Sequence, residues 1–529
     1  MLENEHRTAL AVLWEGVDGG NSSQATTSVL EGEMDTQVRN IRLSDDQFFK
    51  IRKEEVLPQW ETGRQIEDLD ECIVAAKELS RGKNHALKFK EAMQKGEHVL
   101  IPQFGRTLTE YMVEGFQFVE AESCLVPNGI WHIHSDSYTR KLDFPKAAAA
   151  IERSRAEGMS MLNGWPIVNF GVEEARKIMR ATRVPLTLNS ADEDGRLASE
   201  IALAAGWNGC SNRCLSECVA HCKDIPLDEM IRINQYEARL AAIYTERGVP
   251  QCPWNSSNLT GYDSAGYRAF VIVSESLLGA EQGVKYQLLV NGLNMNLIQD
   301  IAMVRVTEKL CREYCARFGY EDMTFFTACY PFLGAWPPRA EEADAMIAWN
   351  AVISTMGGSP GVILKCQDEA FATPTKEGMA GSVRLAGHLL TLMGSQRIPD
   401  CEELRTEEAM IELEVRALME NCLEAGDGDM AVGLCRGVEA GWIDTMLTPW
   451  KHNKGNVVVM RDAQNAVRYW QSGDIPLPQE VRDYHREKLA GREKKEGRKL
   501  DFQMVVSDLQ FASVLTKPFS PTPKTGGAV

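Results

Sequence analysis

The chain predicts an α/β protein, a (β/α)8 TIM-type barrel with an N-terminal extension and a C-terminal mixed appendage, and three observations predict it. From about residue 95, short β-rich runs alternate with longer amphipathic stretches, the order of βα units on a parallel sheet. The β-rich runs number eight, the barrel number. No glycine-rich dinucleotide fingerprint and no P-loop follows any of them, which separates the chain from an open doubly wound sheet.

In chain order, residues 1–45 are rich in Asn, Ser, Thr and Glu, show neither apolar period and are expected to form a loosely packed extension. Residues 46–455 are the expected barrel domain. Its strand candidates are 98–104, 129–135, 165–170, 185–189, 269–274, 286–291, 323–330 and 361–365, with the region around Trp207 competing for a place. Helical patterns separate them at 146–157, 173–181, 194–205, 227–247, 297–318 and 341–355. After Gly455 the pattern changes. Residues 456–529 read as a mixed segment, a charged helix at 479–499, an apolar piece at 502–514 and a Pro/Thr/Gly tail from Lys517.

Composition narrows the function. The 529 residues carry 57 basic and 75 acidic side chains, a net charge of −18 that argues against nucleic acid and against an anionic membrane surface as partners. The apolar stretch at 9–14 is too short for a signal-peptide core, and no uncharged apolar run reaches the ~20 residues of a bilayer span, so a cytoplasmic protein is expected. Fourteen cysteines are then expected to be reduced and mostly buried.

In a parallel barrel, reacting groups sit at the carboxyl ends of strands. His132 and His134, two apart on one strand, point to one side, where they share a metal ion or stand as hydrogen-bonded barrel-interior residues against an organic ligand. Arg140, in the loop beyond, offers a planar fork for a carboxylate or a surface salt bridge. Cys210, Cys214, Cys218 and Cys222 are spaced by four, where a 13-residue window would hold about 0.3 cysteines. On a helix they share a face and read either as a zinc or iron–sulfur site with His221 or as small side chains lining a pocket. Lys365 and Glu369 end a strand and can face a polar ligand. The loop around Trp336 covers a flat cofactor or caps the barrel. Asn163 begins a strand candidate and reads as structural. Residue by residue, this is an enzyme-like barrel for a small acidic compound.

Several stretches together resemble the large catalytic (epsilon) subunit of glutamate mutase, the methylaspartate mutase family. They are DSYTRK at 136–141, LNGWPIVNFGV at 162–172, AEQGVK at 280–285, NLIQDIA at 296–302, PTKEG at 374–378, MRDAQNAVRYW at 460–470 and FQMVVSDL at 502–509. The likeness is colinear from about Asp45 to about Leu509. It implies an isomerase: a barrel that closes over adenosylcobalamin carried by a separate small cobalamin-binding subunit, on L-glutamate and 3-methylaspartate, in an assembly built on a homodimer of large subunits. The cobalt-ligand motif Asp-x-His-x-x-Gly is not complete at Asp483-Tyr484-His485, so the cobalt ligand is expected from the partner and no metal ligand from this chain.

Carried over residue by residue, the resemblance implies a cofactor face of Gly105, His134, Asn163, Ala220, Trp336, Lys365, Glu369 and Thr373. Gly105 would let backbone approach the corrin and Lys365 and Glu369 would touch the adenosyl group. Trp336 stands for a Phe, and Thr373 replaces an apolar contact. Arg140, Lys365 and Glu369 are the implied catalytic residues. The substrate face departs from the family: of three arginines only Arg140 remains, with Gln103 and Asn189 in place of the others and Ser190 beside them. The loop that brings a Glu and tyrosines in the family aligns with the Cys-rich segment, placing Ser211, Glu217 and His221 there. Each lost charge-assisted bond costs about 1.5–3 kcal/mol, so glutamate binds weakly unless Arg106, Arg213 or Lys223 substitutes. A relative acting on a related acid, a barrel with a Cys or His metal site, and a non-catalytic mutase partner are the alternative readings.

Overall fold

The structure, a computed structural model, describes residues 33–189, 192–257, 262–332, 334, 336–370 and 373–512. At its centre, seven parallel strands pair in the order β3-β2-β1-β7-β6-β5-β4. They are β1 (Val99–Phe104), β2 (Trp131–His134), β3 (Leu186–Asn189), β4 (Trp254–Ser256), β5 (Tyr286–Gly292), β6 (Thr324–Tyr330) and β7 (Gly361–Leu364). The edge strands β3 and β4 do not pair with each other, but the stretch after Trp207 bonds to both. Asn208 N–H donates to Leu186 O at 2.9 Å and Leu188 N–H to Gly209 O at 3.3 Å on one side. On the other, Trp254 N–H donates to Cys210 O at 2.9 Å and Asn212 N–H to Trp254 O at 2.8 Å. The sheet is therefore curled, with seven strands among the described residues where eight were expected.

Six of the eight expected strands are present. The other two are helical, for one physical reason. In 269–274 the run AFVIVS lies inside the helix Ala265–Glu281, where every residue from Ala265 to Ala280 is buried, so no polar face marks the helical period. Residues 165–170 enter the helix Ile167–Ala181, which bends at Gly171 (φ 74°), and that break cuts off a short apolar run resembling a strand. Consequently Asn163 lies in a loop before a helix, not at the start of a strand. The strand β4 has three residues, two of them Asn and Ser, too short and polar to register in the sequence.

Strand alternation divides the side chains into an inner and an outer layer. Ile101, Ile130, Trp254, Leu288, Phe326 and Ile363 pack together on the inner face. Phe104, Trp131, Ile133, Leu188, Val362 and Leu364 pack outward among the helices. The inner layer is closed at the amino ends of the strands by the helix His85–Lys95, capped by Asn84 and ended at Gly96 (φ 68°). Its Phe89 stacks on Phe326 with centroids 5.1 Å apart, and Lys90 lies 4.5 Å above the ring of Tyr286, the first residue of β5.

Beyond the sheet, β8 (Val457–Arg461) and β9 (Val467–Ser472) form an antiparallel hairpin, followed by the helices Gln479–Glu496 and Phe502–Leu509. They share one hydrophobic cluster with the helices Ala265–Glu281 and Glu402–Ala425. Arg468 fastens the hairpin through two bonds to Glu407, at 2.6 and 2.8 Å, and one to Asp462 at 2.9 Å. The expected loose packing of residues 1–45 does not extend to the described part of that segment. Val38 is buried, Asn40 Nδ2 donates to Leu278 O at 2.9 Å, and Gln235 Nε2 donates to Arg39 O at 2.8 Å. Residues 1–32 and the tail from Lys517 lie outside the described residues. Among the described residues, no helix is long and apolar enough to cross a membrane.

Candidate active site

The inward positions at the carboxyl ends of β1, β2, β6 and β7 are Gln103, His134, Tyr330 and, just past β7, Lys365. Register places Gln103 opposite His132 and His134 opposite Asn189. The side chain of Asn189 and the whole of Ser190 lie outside the described residues.

Arg140 is set in place by the turn that carries it. Asp136 caps the one-turn helix Ser137–Arg140, its Oδ1 accepting from the N–H groups of Tyr138 at 2.9 Å and Thr139 at 3.1 Å. From the end of that turn, Arg140 Nε donates to Ser135 O at 3.1 Å, and Nη2 lies 3.4 Å from His134 Nδ1. Ser135 Oγ donates to Asp192 at 2.8 Å. Burial pushes the Asp192 carboxyl up to about 7, against the pull of Arg140. Burial, and then the nearby cations Lys365 and Arg140, hold the His134 imidazole well below its ordinary range, so it is neutral at pH 7.

The Cys-rich segment folds differently from a continuous helix. Only Leu215–Ala220 is helical, and Cys210 belongs to the stretch bonded between β3 and β4. Cys214, Cys218 and Cys222 pack in one hydrophobic cluster and Cys210 in another, so the four thiols do not share a face. Burial raises all four well above the ordinary thiol range. Among the described residues, no three His, Cys, Asp or Glu side chains are grouped to hold a metal ion. The segment instead brings an ion pair to the site. Arg213 pairs with Glu217, Arg213 Nε donates to Ser211 Oγ at 3.1 Å, and His221 Nε2 lies 4.0 Å from Glu217. Burial raises the Glu217 carboxyl, while Arg213 and Arg140 pull it down. Ala220 ends the short helix, and Lys223 is exposed.

Opposite, Lys365 Nζ donates to Glu369 at 2.5 Å and lies 5.8 Å from the centre of the Tyr330 ring. Burial works against the ammonium, yet the Glu369 carboxylate raises it above the usual lysine range. Tyr330 donates its hydroxyl to Gln103 Oε1 at 2.7 Å. The Gln103 amide nitrogen is buried with no partner, as are Trp336 Nε1 and Arg106 Nε. Thr373 is half-buried, and Asn163 Oδ1 accepts from Ser137 N–H at 3.0 Å.

Gly105 has a nearer reason than ligand approach. A Cβ there would stand 2.9 Å from Gly164 Cα and 3.1 Å from His134 O, and one on Gly164 would stand 2.5 Å from Ser135 O. The two glycines let three loops lie directly on one another. His485 is a buried core histidine, accepting from Tyr469 N–H at 3.3 Å. Tyr330 and Asp192 were not expected as site residues; Arg213, expected only as a substitute for a lost arginine, is found as the partner of Ser211 and Glu217. The i, i+4 spacing of Arg213 and Glu217 was the one signal in the sequence that pointed to any of them.

The family described as "Methylaspartate mutase E chain (MutE)" matches residues 79–516. The glutamate mutase epsilon subunit of Desulfitobacterium hafniense (strain Y51) is 35% identical over 475 residues, covering 88% of this chain and 96% of its own. The protein of the same name from Yersinia enterocolitica is 33% identical over 482 residues, covering 90% and 98%. That from Treponema denticola is 33% identical over 478 residues, covering 90% and 97%.

Proposed function

The chain belongs to the methylaspartate mutase E chain family, and from that premise we propose that it is the large catalytic subunit of a carbon-skeleton mutase. It is an isomerase of the glutamate mutase kind, acting on L-glutamate and 3-methylaspartate or on a closely related acid. It works with adenosylcobalamin delivered by a small cobalamin-binding subunit, in the cytoplasm, with large subunits paired. We read residues 46–455 as a (β/α)8 barrel whose eighth stave is the stretch after Trp207, and 456–529 as its appendage.

The residues at the mouth suit such a cofactor. Trp336 gives a flat surface with an unpartnered N–H, Gln103 and Arg106 keep buried donors free, and the stacked glycines keep side chains out of the loop contact. Gly105, His134, Asn163, Ala220, Trp336 and Thr373 would hold it, with Lys365 and Glu369 toward its adenosyl group. When bound, adenosylcobalamin supplies homolytic cleavage of a cobalt–carbon bond, chemistry no side chain provides. The chain's own part is binding and exclusion. Arg140, anchored through Nε, presents its remaining N–H groups to a substrate carboxylate. Neutral His134 beside it accepts rather than adds charge. Lys365 and Glu369 hold each other in one geometry, so neither reorients as the substrate rearranges. The inner layer, plugged below by Phe89, keeps water from the mouth's floor.

Family membership over nearly the whole chain, with Arg140 anchored at the mouth, carries this reading. The Cys-rich segment, split between two packing clusters, gives no support to a metal-bearing barrel. The test is an electron paramagnetic resonance spectrum of the chain mixed with a glutamate-mutase small subunit, adenosylcobalamin and L-glutamate or related acids. A cob(II)alamin–radical signal is expected. Silence with every acid, with the small subunit shown to be bound, would refute the mutase reading and leave a non-catalytic partner.

A further inference from the structure

The mouth holds a second guanidinium that matches none of the arginines the resemblance implied. Arg213 and Glu217 are paired with side chains only 6% and 3% exposed. They belong to the segment between β3 and β4, where Ser211 bridges to Trp254. The Trp254 indole stacks on His132 at 3.5 Å, and His134, two residues on, lies against Arg140. Arg213 bears on both histidines and Arg140 on His134, each cation adding to burial in depressing the imidazole it faces, so the two guanidinium groups share the His132–His134 edge of the mouth.

Charge matching narrows what fits between them. Lys365 is matched by Glu369 and Arg213 by Glu217, whereas Arg140 bonds a carbonyl and a neutral imidazole, and the buried carboxyl near it, Asp192, is bonded to Ser135 and raised by burial to about 7. Two guanidinium groups and one carboxylate complement two carboxylates and one ammonium. An amino-acid head group carries both signs, so it can insert into the Arg213–Glu217 pair and leave neither charge buried alone, the arrangement that a buried pair requires.

We infer that Arg213 and Glu217 form the head-group site of an α-amino dicarboxylic acid. Arg213 takes the α-carboxylate, Glu217 the ammonium, and Arg140 the second carboxylate. This rests on the proposed role of Arg140 and deepens it: the substrate face is rebuilt from a different segment rather than lost. Arg213 and Glu217 are then specificity-determining residues, and a ligand without the ammonium is disfavoured by leaving Glu217 unmatched.

The test is calorimetric titration of the full chain, with its small subunit and cofactor present, using L-glutamate, glutarate and 2-aminobutyrate. Glu217→Gln should weaken glutamate roughly ten- to a hundredfold and leave glutarate unchanged or tighter. Arg213→Gln should weaken both. 2-Aminobutyrate, with nothing for Arg140, should bind more weakly than glutamate to the unsubstituted chain. Where a single substitution does not fold, the double variant R213Q/E217Q removes both charges together and should still lose glutamate. Glutamate binding within twofold of the unsubstituted chain in the double variant, or equal losses of glutamate and glutarate in Glu217→Gln, would show a pair that only pins the short helix. An unsubstituted chain that binds no amino dicarboxylate overturns the inference as well, while a radical signal with another acid would leave the mutase reading standing.

Discussion

Replacing Arg140 by Lys tests the substrate anchor with the least disturbance, because the charge is kept and only the fork is lost. Arg140 uses Nε on Ser135 O and one edge of Nη2 against His134, so the guanidinium is oriented before any ligand arrives. Lysine has no equivalent of the Nε anchor and offers a point charge on a flexible stem. A hydrogen bond to a charged group contributes about 1.5–3 kcal/mol, and keeping the charge places the loss near the lower figure. At about 1.4 kcal/mol per tenfold, KM should rise roughly tenfold with Lys and roughly a hundredfold with Met. The assay is initial rate against substrate concentration, with cofactor binding followed in parallel by corrinoid absorbance, which should not change. A KM within twofold of the parent for Arg140→Lys, or a collapse of kcat at constant KM, would remove Arg140 from the carboxylate role.

Gly105→Ala should weaken cofactor binding and lower stability by about 1–3 kcal/mol, since its Cβ meets backbone at Gly164 and His134; an unchanged melting temperature and corrinoid affinity would contradict the loop stacking. Cys214→Ser with Cys218→Ser should give a folded protein that is less stable by about 1–3 kcal/mol per buried hydroxyl, measured in urea, and metal copurifying in stoichiometric amount with the parent would reverse this reading. Glu237 is buried, accepts from Ser199 at 2.6 Å, and is pushed up to about 8 chiefly by burial. A carboxyl raised in the folded state contributes stability that is full below its unfolded value near 4.5 and is lost as pH rises through about 8. Glu237→Gln should therefore flatten the fall in stability between those values, and an identical slope in the variant would show that this carboxyl is not its source.

The sequence carried the parallel βα order and six strands because each of those strands has β-branched or aromatic residues bounded by turn residues, as in Trp131-His132-Ile133-His134 before Ser135-Asp136. It hid the helix Ala265–Glu281 because burial on all sides erases the polar stripe from which a helical period is read. The anchor at Arg140 was legible through its strand-end position, whereas the Asp136 cap that sets its turn emerged only in the structure. The bond from Tyr330 to Gln103 was not legible, since it joins positions 227 residues apart and depends on the curl of the sheet. The even spacing of the four cysteines suggested one helical face; the helix instead begins only after Cys214 and ends before Cys222, because the backbone around Cys210 is engaged by β4.

The helix His85–Lys95 across the amino ends of the strands makes the molecule a cup instead of a tube. Among the described residues, the inner face is packed shut at that end, and Arg140, Lys365 and Trp336 lie at the other. On the proposed assembly, the end with Arg140 is also where the cofactor-bearing subunit sits. Substrate entry and subunit association then fall on the same end of the strands, so residues there serve both and a substitution at the mouth is felt by substrate and partner alike.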